Sequence, residues 1–137
     1  MARLTEQPAT SVRSQKRHWK LWLILILLVL PAAVLFSYTW VALHYAYSSG
    51  ERSGYIQKIS RKGWLCKTWE GELAMTTVPG TAPQIFQFSV RDDSTAHRIE
   101  QTIGQRVALA YQQHKGVPSS CFGDTEYFVT GVRTVGQ

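Results

Sequence analysis

Between Leu21 and Leu43 the chain reads LWLILILLVLPAAVLFSYTWVAL, without a charged residue and with only Ser37, Tyr38 and Thr39 as mildly polar interruptions. A helix rises about 1.5 Å per residue, so such a run is long enough to cross a hydrocarbon core of roughly 30 Å. It predicts a transmembrane helix with its interface over residues 21–47. Pro31 falls mid-span, where it removes one backbone donor, a loss that bilayer helices tolerate when neighbouring groups compensate. Trp19 and Trp22 at one end, and Trp40, Tyr45 and Tyr47 at the other, suit the two headgroup belts. Ala46 to Ser48 loosely resembles a small-x-small cleavage site, but a cleaved signal has an apolar stretch of only about 7 to 15 residues.

The charge is unevenly spread. Residues 1–20 carry Arg3, Arg13, Lys16, Arg17 and Lys20 against Glu6, whereas from Ser48 onward Lys and Arg barely outnumber Asp and Glu. The net charge of +6 and the pI near 9.6 therefore belong mostly to the tail. Basic residues flanking a span stay on the cytoplasmic side. The tail is thus expected in the cytoplasm, the helix in the inner membrane, and the C-terminal domain in the periplasm.

Tyr47 to Gly54, YSSGERSG, has the composition of a flexible tether, which predicts a linker over 48–54 and a folded domain over 55–137. Tyr55 to Ser60 is β-prone without clean alternation, which leaves room for a bulge, and Arg61-Lys62-Gly63 looks like a turn. From Leu65 to Met75 the alternation is clearer. Leu65, Trp69, Leu73 and Met75 share one face, interrupted by Gly71, and Thr68, Glu70, Glu72 and Thr76 the other. Phe86, Phe88 and Val90 predict a third strand. Asp93 or Ser94 then caps a short amphipathic helix carrying Ala96, Ile99 and Ile103, with Gly104 as its stop. Val107, Leu109 and Tyr111 predict a fourth strand and Tyr127 to Arg133 a fifth, separated by a loop from Gln113 to Asp124. Five strands with one helix between strands 3 and 4 make an OB-like barrel the expected fold. An open α+β meander with the helix packed on one face, or another small barrel, is the rival.

Cys66 and Cys121 are the only two cysteines. In an oxidising compartment an even count suggests a disulfide, and an OB topology brings their two loops to one side of the barrel. Two separate, buried thiols are the alternative. With His44, His97 and His114 scattered, the cysteines give no zinc spacing, and no metal or cofactor is expected. His114, Ser119, Ser120 and Asp124 hold the atoms of a nucleophilic triad, but a Ser-rich loop accounts for them more simply. Glu70 and Glu72 read as paired carboxylates or, more simply, as a solvated face. Neither G-x-G-x-x-G, G-x-x-x-x-G-K nor HExxH occurs.

The stretch GYIQKISRKGWLCKTWEGEL, Gly54 to Leu73, mixes cations with flat aromatics as nucleic-acid surfaces do. A periplasmic domain does not routinely meet DNA or RNA, so nucleic acid becomes the ligand only if the topology is reversed. Otherwise Lys58, Arg61, Lys62, Trp64 and Lys67, with His114 and Lys115 from the later loop, form a candidate rim. Its expected partners are membrane lipid, an anionic or sugar-containing envelope ligand, or an envelope protein. Trp69 belongs to the core by its alternation with Leu73 and Met75. An envelope enzyme of unknown reaction is the second functional class.

YSSGERSGYIQKISRKGWLCKTWEGEL, Tyr47 to Leu73, and CFGDTEYFVTGV, Cys121 to Val132, resemble a family of small, membrane-anchored bacterial proteins, some of them labelled 6-phosphogluconate dehydrogenase. The resemblance implies no catalytic residues. At 137 residues the chain is too short for a nucleotide domain plus a substrate domain, and it lacks the glycine fingerprint that such a label requires.

Overall fold

A computed structural model describes residues 15–75 and 78–136. Thr76 and the tail residues Arg3, Glu6 and Arg13 lie outside the described residues. The elements follow the order α1 (Gln15–His44), β1 (Ser48–Lys62), β2 (Thr68–Met75), β3 (Gln84–Val90), α2 (Asp93–Glu100), β4 (Arg106–Gln113) and β5 (Tyr127–Thr134). Two units divide at Tyr38 and Thr39.

Within α1, the most apolar 18-residue stretch of His18–His44 has a mean hydropathy of 2.5 and no buried side chains. By length and composition this segment is fit to cross a membrane or to act as a signal sequence. Pro31 lies inside the helix, and Ser37 Oγ donates to the Ala33 carbonyl at 2.8 Å.

The five strands pair in the order β1-β2-β3-β5-β4, and β4 pairs back with β1. All neighbours are antiparallel except β3 and β5, which run parallel and meet at the single position Ser89↔Phe128. The sheet is therefore a mixed ring with one thin seam.

The linker expected over 48–54 is instead the first half of β1, where Ser48 to Tyr55 pair with Gln113 to Arg106 of β4. Ser and Gly are weak strand formers by propensity, but pairing with a neighbour overrides that preference. The expected turn at Arg61-Lys62-Gly63 begins only at Gly63, since Arg61 and Lys62 still pair with Trp69 and Thr68. Gly63 makes the turn itself, with φ of +124°, and a Cβ there would strike the Cys66 carbonyl oxygen. β2 accordingly starts at Thr68, which leaves Leu65 in an exposed loop rather than on the apolar face.

The core is built from Ile56, Leu73, Phe86, Phe88, Val90, Val107, Leu109 and Val129 of the strands, with Ala96 and Ile99 of α2. Gly71 sits on the inward face of β2 because the Phe88 ring occupies the space a side chain would need, an added Cβ lying 2.3 Å from it. The helix cap is Asp92 rather than Asp93 or Ser94. Its carboxylate accepts from the Thr95 N–H at 2.9 Å and from the hydroxyls of Thr95 and Ser94, which holds it ionised and pulls its pKa down to about 2. Asp93 instead accepts from Trp69 Nε1 at 2.7 Å. Trp69 is partly buried against the core. The helix ends at Glu100, so Ile103 lies in the following turns and is exposed, unlike its expected core position.

Candidate functional site: the groove beside the disulfide

A bulge decides which side chains reach the outer face of β1. Gly54 and Ile56 are buried, but the register against β2 shifts between Ile56 and Lys58. Beyond the shift Ile59 packs inward, while Lys58, Ser60 and Lys62 line an outer groove together. The irregular alternation of this segment was the sequence signal for that bulge.

The shift separates the candidate rim residues. Lys58 and Lys62 face the groove, whereas Arg61 lies on the opposite face, 5.9 Å from the Trp69 ring centroid. Trp64 is 98% exposed and Leu65 85% exposed at the tip of the β1–β2 loop, beside exposed Lys67. Cys66 in that loop is bridged to Cys121 in the β4–β5 loop, with Cα atoms 4.9 Å apart across a separation of 55 residues. The alternative of two separate thiols is thereby excluded.

The β4–β5 loop folds over the outer face of β2 and β3, and Glu70 holds it there. Glu70 Oε1 accepts from Thr68 Oγ1 at 2.8 Å and from the Asp124 N–H at 3.0 Å, and Oε2 accepts from Ser89 Oγ at 2.6 Å. The Thr125 N–H donates to Ser89 Oγ at 3.1 Å. Glu70 is 6% exposed, so the solvated face expected for the Glu70 and Glu72 pair is corrected. Glu70 is covered by a loop distant in sequence, while Glu72 opens onto the groove. Sequence reasoning missed this network, because nothing local in the sequence marks which loop lies over Glu70.

The groove has a volume of about 150 Å³ and mixes Lys58 and Lys62 with Glu70, Glu72 and Asp124. Between them Ser60 Oγ is the buried side-chain polar atom without a hydrogen-bond partner among the described residues. Cations and carboxylates alternate here, so the surface is not the uniformly basic rim expected from the sequence.

His114 and Lys115 do not line this groove. His114 is 3% exposed, its Nδ1 lies 3.1 Å from the Ala42 carbonyl oxygen, and its ring packs edge-on to Phe128. That burial withdraws it from the rim and from any triad with Ser119, whose Oγ accepts from the Cys121 N–H. Lys115 Nζ stands 4.1 Å from the Tyr47 ring centroid. The remaining belt residues Trp19, Trp22, Trp40 and Tyr45 are exposed, with Trp40 stacked on His44.

Residues 46–135 match the family described as a domain of unknown function, DUF8785. No curated protein matches the chain.

Proposed function

The chain belongs to DUF8785, a family of unknown function, and we propose that it is a single-pass membrane-anchored protein presenting an OB-like barrel as a binding module for a sugar-containing envelope ligand. The observation that carries this reading is the groove at Ser60, where an unpaired hydroxyl lies among alternating lysines and carboxylates beside a stapled, exposed Trp64. Sugar hydroxyls donate and accept at once, so they match a surface that offers both kinds of partner. Three carboxylates in the lining disfavour a strongly anionic group inside the groove. Lys67 remains exposed outside the groove lining, in the β1–β2 loop, to meet anionic substituents of a larger ligand.

Support for the OB-like barrel comes from the closed strand order, the parallel β3–β5 contact and α2 between β3 and β4. In that fold the loops joining strands 1 to 2 and 4 to 5 flank the ligand face. These are the loops that the disulfide joins. Support for an inner-membrane anchor with a periplasmic domain comes from the basic tail, the apolar helix and a disulfide suited to an oxidising compartment.

Two experiments test the reading. A C-terminal reporter active only outside the cytoplasm should be active, and Cys66 and Cys121 should resist thiol labelling in whole cells. An inactive reporter with labelled thiols would reverse the topology and make nucleic acid the leading ligand. Binding of neutral and acidic oligosaccharides to the full chain in detergent should then be measured for the wild type and for Ser60→Val with Glu72→Gln. Equal binding by the variant would remove the groove from the reading.

A further inference from the structure

At the end of the ring away from α2, the interior is not closed by aliphatic side chains. Arg52 shares its inward phase on β1 with buried Gly54 and Ile56, and its guanidinium carbon lies 4.4 Å from the Phe86 ring centroid, 5.4 Å from Tyr111 and 5.6 Å from Tyr127. The three rings touch one another edge-on or tilted, with centroids 5.1 to 5.6 Å apart. They form a cup around a half-buried cation.

A guanidinium stacked on a ring spends its face and keeps its N–H donors free in its own plane. Among the described residues Arg52 makes no ion pair, and its hydrogen bond is to a weak acceptor, Met75 Sδ at 3.8 Å. Partial burial of a cation is costly unless an anion or strong acceptors meet it. Arg52 also borders the seam, where β3 and β5 pair at the single position Ser89↔Phe128. There a cavity of about 390 Å³ is lined by Arg52, Phe86, Tyr127, Ile85, Gln87 and Glu126. That volume falls in the range of small-molecule sites.

We propose that this cavity binds a small organic monocarboxylate, its carboxylate on the Arg52 guanidinium and its apolar body against Phe86, Tyr127 and Ile85. A single guanidinium matches a carboxylate in bidentate fashion. The Glu126 carboxylate in the same lining opposes a dianion, which selects a carboxylate over a phosphate monoester. The site is separate in its key groups from the Ser60 groove, so it stands or falls independently of the sugar reading.

The test uses full-length protein in detergent, titrated with benzoate, benzyl alcohol and phenyl phosphate while the ring resonances of Phe86, Tyr111 and Tyr127 and the unfolding temperature are followed. Benzoate should bind saturably, raise the unfolding temperature and bind at least about tenfold more tightly than benzyl alcohol, as a charge-assisted hydrogen-bonded pair requires. Phenyl phosphate should bind no more tightly than benzoate. Arg52→Met should lose the preference for benzoate over benzyl alcohol, and Arg52→Lys should keep part of it. No saturable benzoate binding, equal binding of benzoate and benzyl alcohol, or tighter binding of phenyl phosphate would each overturn the proposal. The wild-type comparison alone decides the matter should the variants fail to fold.

Discussion

The backbone N–H of Asp124 donates to Glu70 Oε1 at 3.0 Å, tying together residues 54 positions apart. This bond and the two hydroxyl donors on the same carboxylate fix the β4–β5 loop to the sheet. Glu70→Ala leaves those donors facing a void and should destabilise the domain by about 1–3 kcal/mol. Denaturant unfolding measures the loss, and faster amide exchange at Asp124 and Thr125 should accompany it.

Gly71 lies against the Phe88 ring, with 2.3 Å available for a Cβ, whereas at Gly131 the nearest atom is 4.0 Å away. Gly71→Ala should therefore cost about 1–3 kcal/mol through overpacking. Gly131→Ala should change stability by no more than about 0.5 kcal/mol. Paired unfolding curves of the two variants check this contrast.

Asp92 titrates near 2, below its ordinary 3.8, because Ser94 and Thr95 donate to the carboxylate. A depressed folded-state pKa gives stability that is complete above the unfolded value and lost as pH falls through the folded one. The advantage of wild type over Asp92→Ala should thus be constant above about pH 5 and shrink as pH falls from 3.8 toward 2. Thermal unfolding across that window reads the trend, and a gap that widened on acidification would contradict it.

The Cys66–Cys121 bridge closes a loop of 55 residues. Replacing both cysteines by serine should cost about 2–4 kcal/mol. Because the bridge joins the two loops beside the groove, oligosaccharide binding should weaken even where the variant remains folded. Unfolding and binding measured on one sample separate these effects.

Trp64 is 98% exposed and touches nothing that folding requires. Trp64→Ala should leave stability unchanged within about 0.5 kcal/mol and weaken oligosaccharide binding several-fold. A stability loss without a binding loss would make the indole structural.

Strands β3, β4 and β5 and the apolar helix were legible because their signal is periodicity, which a short window carries. The first half of β1 was not, since Ser48 to Gly54 look like a tether until β4 supplies a partner. For the same reason Arg52 was read as linker and its aromatic cup was missed. Glu70 alternates like a solvated residue, and only the arrival of Asp124 and Thr125 buries it. Lys58 and Lys62 were read as one rim with Arg61, and their separation from it depended on a bulge whose exact position the irregular pattern left open.

That bulge sets the two halves of β1 out of phase by one residue. Gln57 is the residue left without a partner there, so deleting it would straighten the strand and leave Ile59 facing the core and Lys58 and Lys62 facing the groove, whereas a strand straightened with Gln57 retained would turn Lys58 and Lys62 toward the core and Ile59 toward water. At this point the number of residues matters more than their identity. A chain of this kind should tolerate many substitutions along β1, and the loss of Gln57, while rejecting single-residue insertions and deletions at the paired positions of the strand.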